Sequence, residues 1–138
     1  MSRWTLGLLL LVGAHFSASY LVPLDETAQE SFGGLLRLAW PWAYGDDALL
    51  GKISQSSGFP ISGFSIAVTS GSLLFLAGLA LIGLWIPFGW WRPLAVSGTA
   101  ISLLLMISFF GPAKLIPIAL DLLVLYVALS HRPSSAIH

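Results

Sequence analysis

Apolar residues fall along this chain in four long blocks, at about residues 4–24, 64–86, 93–110 and 115–130, with polar residues gathered almost entirely between the first two. A helix that crosses a bilayer needs about 20 mostly apolar residues. Each block is therefore read as a spanning helix, the last two borrowing residues from the turns that flank them. Between the blocks, "PFGWWR" (87–92) and "GPAK" (111–114) are tight connections rich in proline, glycine and aromatic residues. Such short connections make the last three helices antiparallel neighbours, and four spans put both termini on one side. The pattern predicts an all-α membrane protein, a single domain over 1–138 built as an antiparallel bundle of four transmembrane helices.

The first block also imitates a signal peptide, with Arg3 before an apolar run and the small residues Ser17 and Ser19 after it. His15 interrupts that run and the run is long enough to span, so it is read as a helix of the bundle. The long first loop, 25–60, contains "ESFGGLLRLAWPWAYG", which mixes Leu35, Leu36, Leu38, Trp40 and Trp42 with one arginine and suits a chain lying among headgroups. Asp46 or Asp47 is expected to cap a short helix there, and "SQSSGFP" (54–60) to lead into the second span. This segment is too short for a separate domain and is expected to lie as a lid on the bundle.

Composition agrees: 57% of the residues are hydrophobic and 9% charged, against roughly 25% charged in a soluble domain. Six basic and six acidic side chains cancel, so nothing points to nucleic acid; the lipid bilayer is the first partner. With no cysteine in the chain, disulfides, thiolate metal sites and thiol catalysis are excluded. Arg3, Arg92 and Arg132 fall on the side of the termini, Lys114 on the other, and Arg37 and Lys52 in the long loop. This three-to-three count is tipped towards cytoplasmic termini, in a bacterial inner membrane, by the amino terminus and His131.

Small residues four apart prepare the helices for close approach: Gly13 and Ser17, Ala14 and Ala18, Ala67 and Gly71, Gly98 and Ser102, with Gly78 continuing the second helix's stripe. Only two ionisable residues lie inside the spans, His15 and Asp121. His15 is roughly 17 Å from the start of the first helix and Asp121 roughly 14 Å from the end of the fourth, on the same membrane side. The matching depths predict that the two face each other or share a water, with Ser17, Thr69, Ser70, Ser97 and Thr99 as secondary partners. Such a pair either locks the bundle's register or handles a proton or a quinone, since a histidine beside a carboxylate passes protons and donates to a carbonyl.

Trp4, Trp40, Trp42, Trp85, Trp90 and Trp91 are read as interfacial anchors, and Arg92 as a side chain reaching lipid phosphates. Asp25, Glu26 and Glu30 are read as solvated carboxylates helped by a helix dipole rather than as a metal site. A haem between spans usually takes two axial ligands, and one histidine lies in a span. No resident cofactor or metal is expected, quinone being the one small molecule the polar pair would suit. No phosphate-binding glycine loop, zinc motif or serine elbow is present, so electrons for any redox chemistry must come from another subunit.

"RWTLGLLLLVGAHF" (3–16), the long first loop, "GSLLFLAGLALIGLW" (71–85) and "KLIPIALDLLVLYVAL" (114–129) resemble, in order and layout, the DoxX-like group of small four-helix bacterial membrane proteins. That group includes a small subunit associated with thiosulfate:quinone oxidoreductase. The resemblance implies a four-helix fold and a place in a quinone-linked complex. "SIAVTSG" (65–71) stands where the group carries a glutamate near the start of its second helix, so no catalytic residue is carried over. The expectation is a non-catalytic subunit that anchors or assembles a larger membrane complex, with other membrane subunits or further copies of itself as partners. A quinone- or proton-handling component using His15 and Asp121 is the alternative. A small transporter is a weaker third reading, for want of mid-membrane polar groups and a broken central helix.

Overall fold

The computed structural model describes residues 2–22, 24, 25, 27, 34–42 and 63–130. Four helices within it are long and apolar enough to cross a membrane. They are α1 (Arg3–Ala18, continued by a 3-10 turn Ser19–Leu21), α3 (Gly63–Ile82), α4 (Trp91–Ser108) and α5 (Leu115–Ser130). A short helix, α2 (Gly34–Ala39), lies in the first loop. No strand occurs among the described residues. The protein is an all-α four-helix membrane bundle, as the apolar blocks predict.

Local chemistry sets the helix ends. Ser2 caps α1, its hydroxyl accepting from the Thr5 amide at 3.1 Å, which satisfies one of the orphan N–H groups of the first turn. Helix α3 ends at Ile82 rather than near 86 because Gly83 turns left-handed, with φ of 85°. The Gly83 amide then donates to Ala80 O at 3.2 Å and the Leu84 amide to Leu79 O at 2.9 Å, the two bonds of a Schellman stop. Pro93 and Pro117 fall in the first turns of α4 and α5, where a missing amide costs nothing. Short 3-10 turns, Phe88–Trp90 and Pro112–Lys114, lead into those helices.

Helix α3 packs between α1 and α4, while α5 packs on α4 and reaches α1. The core has two parts. Leu6, Leu10, Leu74, Leu81, Trp91 and Val124 fill the half nearer the termini, and Phe16, Trp42, Leu105, Met106 and Phe109 fill the other. The small-residue stripes do the work of close approach. A Cβ placed on Gly71 would meet Ala14 O at 3.5 Å and the Ala18 amide at 3.7 Å, and one on Gly78 would lie 3.4 Å from Gly7 O. Large apolar side chains such as Leu8, Phe75, Ile107, Leu122 and Leu123 point outward, as they must where the solvent is hydrocarbon.

The end of α1 that leads into the first loop is stitched to α2 and the residues after it. Trp40 Nε1 donates to Val22 O at 2.7 Å, and the Leu24 amide to Trp42 O at 3.1 Å. Of the expected lid, residues 34–42 are thus seated on the bundle. The expected cap at Asp46 or Asp47, the loop 54–60, and Glu26, Glu30, Lys52, His131 and Arg132 lie outside the described residues.

Candidate functional site: a sealed carboxylate under an aromatic cap

Asp121 sits half-way along α5 and is 1% exposed. It faces the small residues of α1 and α4. A Cβ on Gly13 would come within 3.6 Å of Asp121 Oδ1, and Ser102 supplies the side-chain hydrogen bond to the carboxylate. Ser102 Oγ is also 3.0 Å from Ser17 Oγ. Ser17, Ser102 and Asp121 thus form a chain of side-chain hydrogen bonds across three helices. Asp121 Oδ2 and Thr99 Oγ1 are buried with no hydrogen-bond partner. Ser17, Ser102 and Thr99 are completely buried.

His15 stands elsewhere. Its Nε2 donates to Ala39 O at 2.9 Å, its ring meets Trp40 edge-on with centroids 5.1 Å apart, and the residue is exposed on the bundle's flank. The expected facing pair is therefore not formed. His15 is two positions on from Gly13, about 200° of helix rotation, so the face of α1 that receives Asp121 turns His15 away. Gly13 and Ser17, one turn apart, take the place expected of the histidine. Among the secondary partners, Ser70 bonds back to Ala67 O at 3.2 Å and Thr69 to Ser65 O at 2.7 Å within α3, and Ser97 is exposed. Only Ser17 is joined to the carboxylate, through Ser102.

Between α1 and α3, His15 lines an open groove of about 550 Å³. Ala14, Ala18, Ala67 and Gly71 leave it wide, and Phe75 closes one wall. Neither Asp121 nor its hydroxyl neighbours reach this groove.

Over the carboxylate, at the end of the bundle near the first loop, lies a cap that the aromatic pattern did not reveal. Trp42 is 2% exposed, and its Nε1 donates to Phe16 O at 2.9 Å. Tyr20 and Phe109 meet its ring edge-on at 4.8 and 5.4 Å, and each other at 5.3 Å. Lys114 Nζ stands 4.3 Å from the Trp42 ring centroid, a cation–π contact inside the bundle. Trp42 is thus a core residue rather than an interfacial anchor, because Pro41 lets Trp40 and Trp42 address different surfaces. Trp91, also expected at the interface, is 6% exposed and belongs to the core half near the termini. Trp4, Trp85 and Trp90 are more than half exposed at the end of the termini, where an anchoring belt belongs.

Arg92 does not stretch into solvent. Its Nε donates to Ala128 O at 2.6 Å and its Nη2 to Leu129 O at 3.2 Å. These are orphan carbonyls of α5's last turn, at the negative end of its dipole, so the cation clasps the end of α5 to the start of α4.

No group of three or more metal-ligating side chains occurs among the described residues. Compared with protein-family models, curated proteins and solved structures, the chain matches none.

Proposed function

We propose that this chain is a non-catalytic subunit that anchors or assembles a larger membrane complex, quinone-linked and respiratory in class, in a bacterial inner membrane with its termini cytoplasmic. The observation that carries the reading is the sealing of the polar interior. Asp121, Ser17, Ser102 and Thr99 are at most 1% exposed, and none of them lines the groove beside His15. A carboxylate that no substrate reaches, tied to hydroxyls on two other helices, specifies helix register, a use of buried polar groups attested in helical bundles. Outward-facing Leu8, Phe75, Ile107, Leu122 and Leu123 offer lipid or other helices apolar packing area. The DoxX-like layout supplies the quinone-linked class of partner.

The test is gentle purification from the native membrane followed by mass spectrometry of proteins and small molecules in the same sample. Redox subunits present in stoichiometric amounts are the expected result. A lone protein or a homo-oligomer carrying only lipid overturns the reading. Asp121→Asn, once folded, should assemble as the wild type does.

The His15 groove favours a second reading, that of a quinone- or proton-handling component. Its 550 Å³ would admit a ring, and a neutral imidazole whose Nε2–H is held by Ala39 O keeps Nδ1 as an acceptor. In that reading His15 acts without Asp121. Quinone that co-purifies with wild type and is lost from folded His15→Ala would favour it, and unchanged quinone content would refute it.

A further inference from the structure

The end of the bundle that carries the termini holds a second, smaller groove of about 220 Å³. It opens between the start of α1 and the end of α5, with Leu6, Leu81 and Val127 as apolar walls and Arg3, Tyr126 and Ser130 around its mouth. Arg3 is exposed, its guanidinium 5.9 Å from the Trp4 ring, and it forms no ion pair among the described residues. The exposed indoles of Trp4 and Trp90 at the same end mark this level as the membrane interface.

Acidic residues are distributed very unevenly. The described segments that flank or join helices at this end, 2–3 and 83–92, contain Arg3 and Arg92 and no Asp or Glu. Asp25, Glu26, Glu30, Asp46 and Asp47 all lie in the segment joining α1 to α3 at the opposite end, and Asp121 is buried. Among the described residues, the end that holds this groove thus carries basic side chains and no acidic one. A cation at a mouth of headgroup height, above apolar walls, matches a phosphate with hydrocarbon beneath it.

We propose that this groove binds one anionic phospholipid, its phosphate held at Arg3 and the first part of an acyl chain lying along Leu6, Leu81 and Val127. Zwitterionic lipids present the same phosphate, but their added cation meets a described lining with no Asp or Glu to receive it. The site needs no partner subunit and holds whether or not the assembly reading does.

The full-length protein, delipidated in detergent, is titrated with phosphatidylglycerol or phosphatidylcholine and the bound lipid is counted by native mass spectrometry. Wild type should retain phosphatidylglycerol preferentially. Arg3→Gln should weaken that retention about fivefold, the contribution of one basic residue near an anionic surface, and Arg3→Lys should restore most of it. Arg37→Gln removes the same charge from the exposed face of α2, outside the groove's lining, and should behave as wild type. Equal retention of the two lipids by wild type overturns the proposal. So do equal losses in Arg3→Gln and Arg37→Gln, which would mean unlocalised charge attraction, and full competition by soluble glycerol phosphate, which would mean a site for free phosphate.

Discussion

Replacing Gly98 by alanine tests how closely α3 and α4 are pressed together. A Cβ at that position would stand 3.0 Å from Leu73 Cβ, Leu74 Cγ and the backbone nitrogen of Leu74. Carbon contacts are most favourable at 3.5–4.0 Å, and a backbone nitrogen cannot rotate aside. The helices must part by several tenths of an ångström along a seam that also contains Ala95 and Leu105. Overpacking of this kind costs about 1–3 kcal/mol. Alanine's better helix propensity returns up to about 1 kcal/mol, leaving a net loss of about 1 kcal/mol. Gly71→Ala is the matched control: its Cβ would meet its nearest neighbours at 3.5, 3.7 and 3.8 Å, ordinary contact distances. It should be neutral or up to about 1 kcal/mol more stable. Reversible unfolding in mixed micelles, driven by a rising fraction of dodecyl sulfate and followed by helical circular dichroism, reads both. If Gly98→Ala matches or exceeds wild type while Gly71→Ala falls, the seam described here is misplaced.

Trp42→Ala, which removes the ring shared by Tyr20, Phe109 and Lys114 together with the bond to Phe16 O, should cost about 3–5 kcal/mol in the same assay; Trp42→Phe should recover part of it. Arg92→Gln leaves the last carbonyls of α5 uncapped, and amide exchange should accelerate in that turn while the rest of the bundle is unchanged. Ser102→Ala removes the hydroxyl that links Asp121 to Ser17 and should destabilise by about 1 kcal/mol, the scale of interhelical hydrogen bonds in lipid. Asp121→Asn, which can still accept from Ser102, should lose less than Ser102→Ala.

Four helices, their antiparallel order and the small-residue seams were legible in the sequence, because the bilayer forces apolar length and close backbone approach to be written openly. The interior polar contacts were less so. Depth along a helix places His15 and Asp121 at one level, but azimuth decides what meets, and the 3.6-residue period pairs Gly13 and Ser17 with α5 while turning His15 outward. That same period, applied to α4, puts Thr99 and Ser102 on the face of Gly98; this signal would have found Ser102. Trp42 was hidden because an indole in a belt and an indole in a core look alike in sequence. Its neighbours Tyr20, Phe109 and Lys114 come from two separate connections that only the fold brings together. Arg92 was misread for a related reason: its acceptors are backbone carbonyls, which every residue possesses and no sequence advertises.

The place of Asp121 bears on how the protein is made. A carboxylate at the middle of a lone helix raises the cost of leaving that helix in lipid by about 3 kcal/mol. Helix α5 is also the last of the four to be synthesised. By then Ser17 and Ser102, on helices made earlier, have had time to come together at 3.0 Å, and Arg92 already waits at the start of α4. Insertion of α5 is therefore drawn forward by the three helices before it, so that membrane integration and tertiary docking of the last span are one event rather than two.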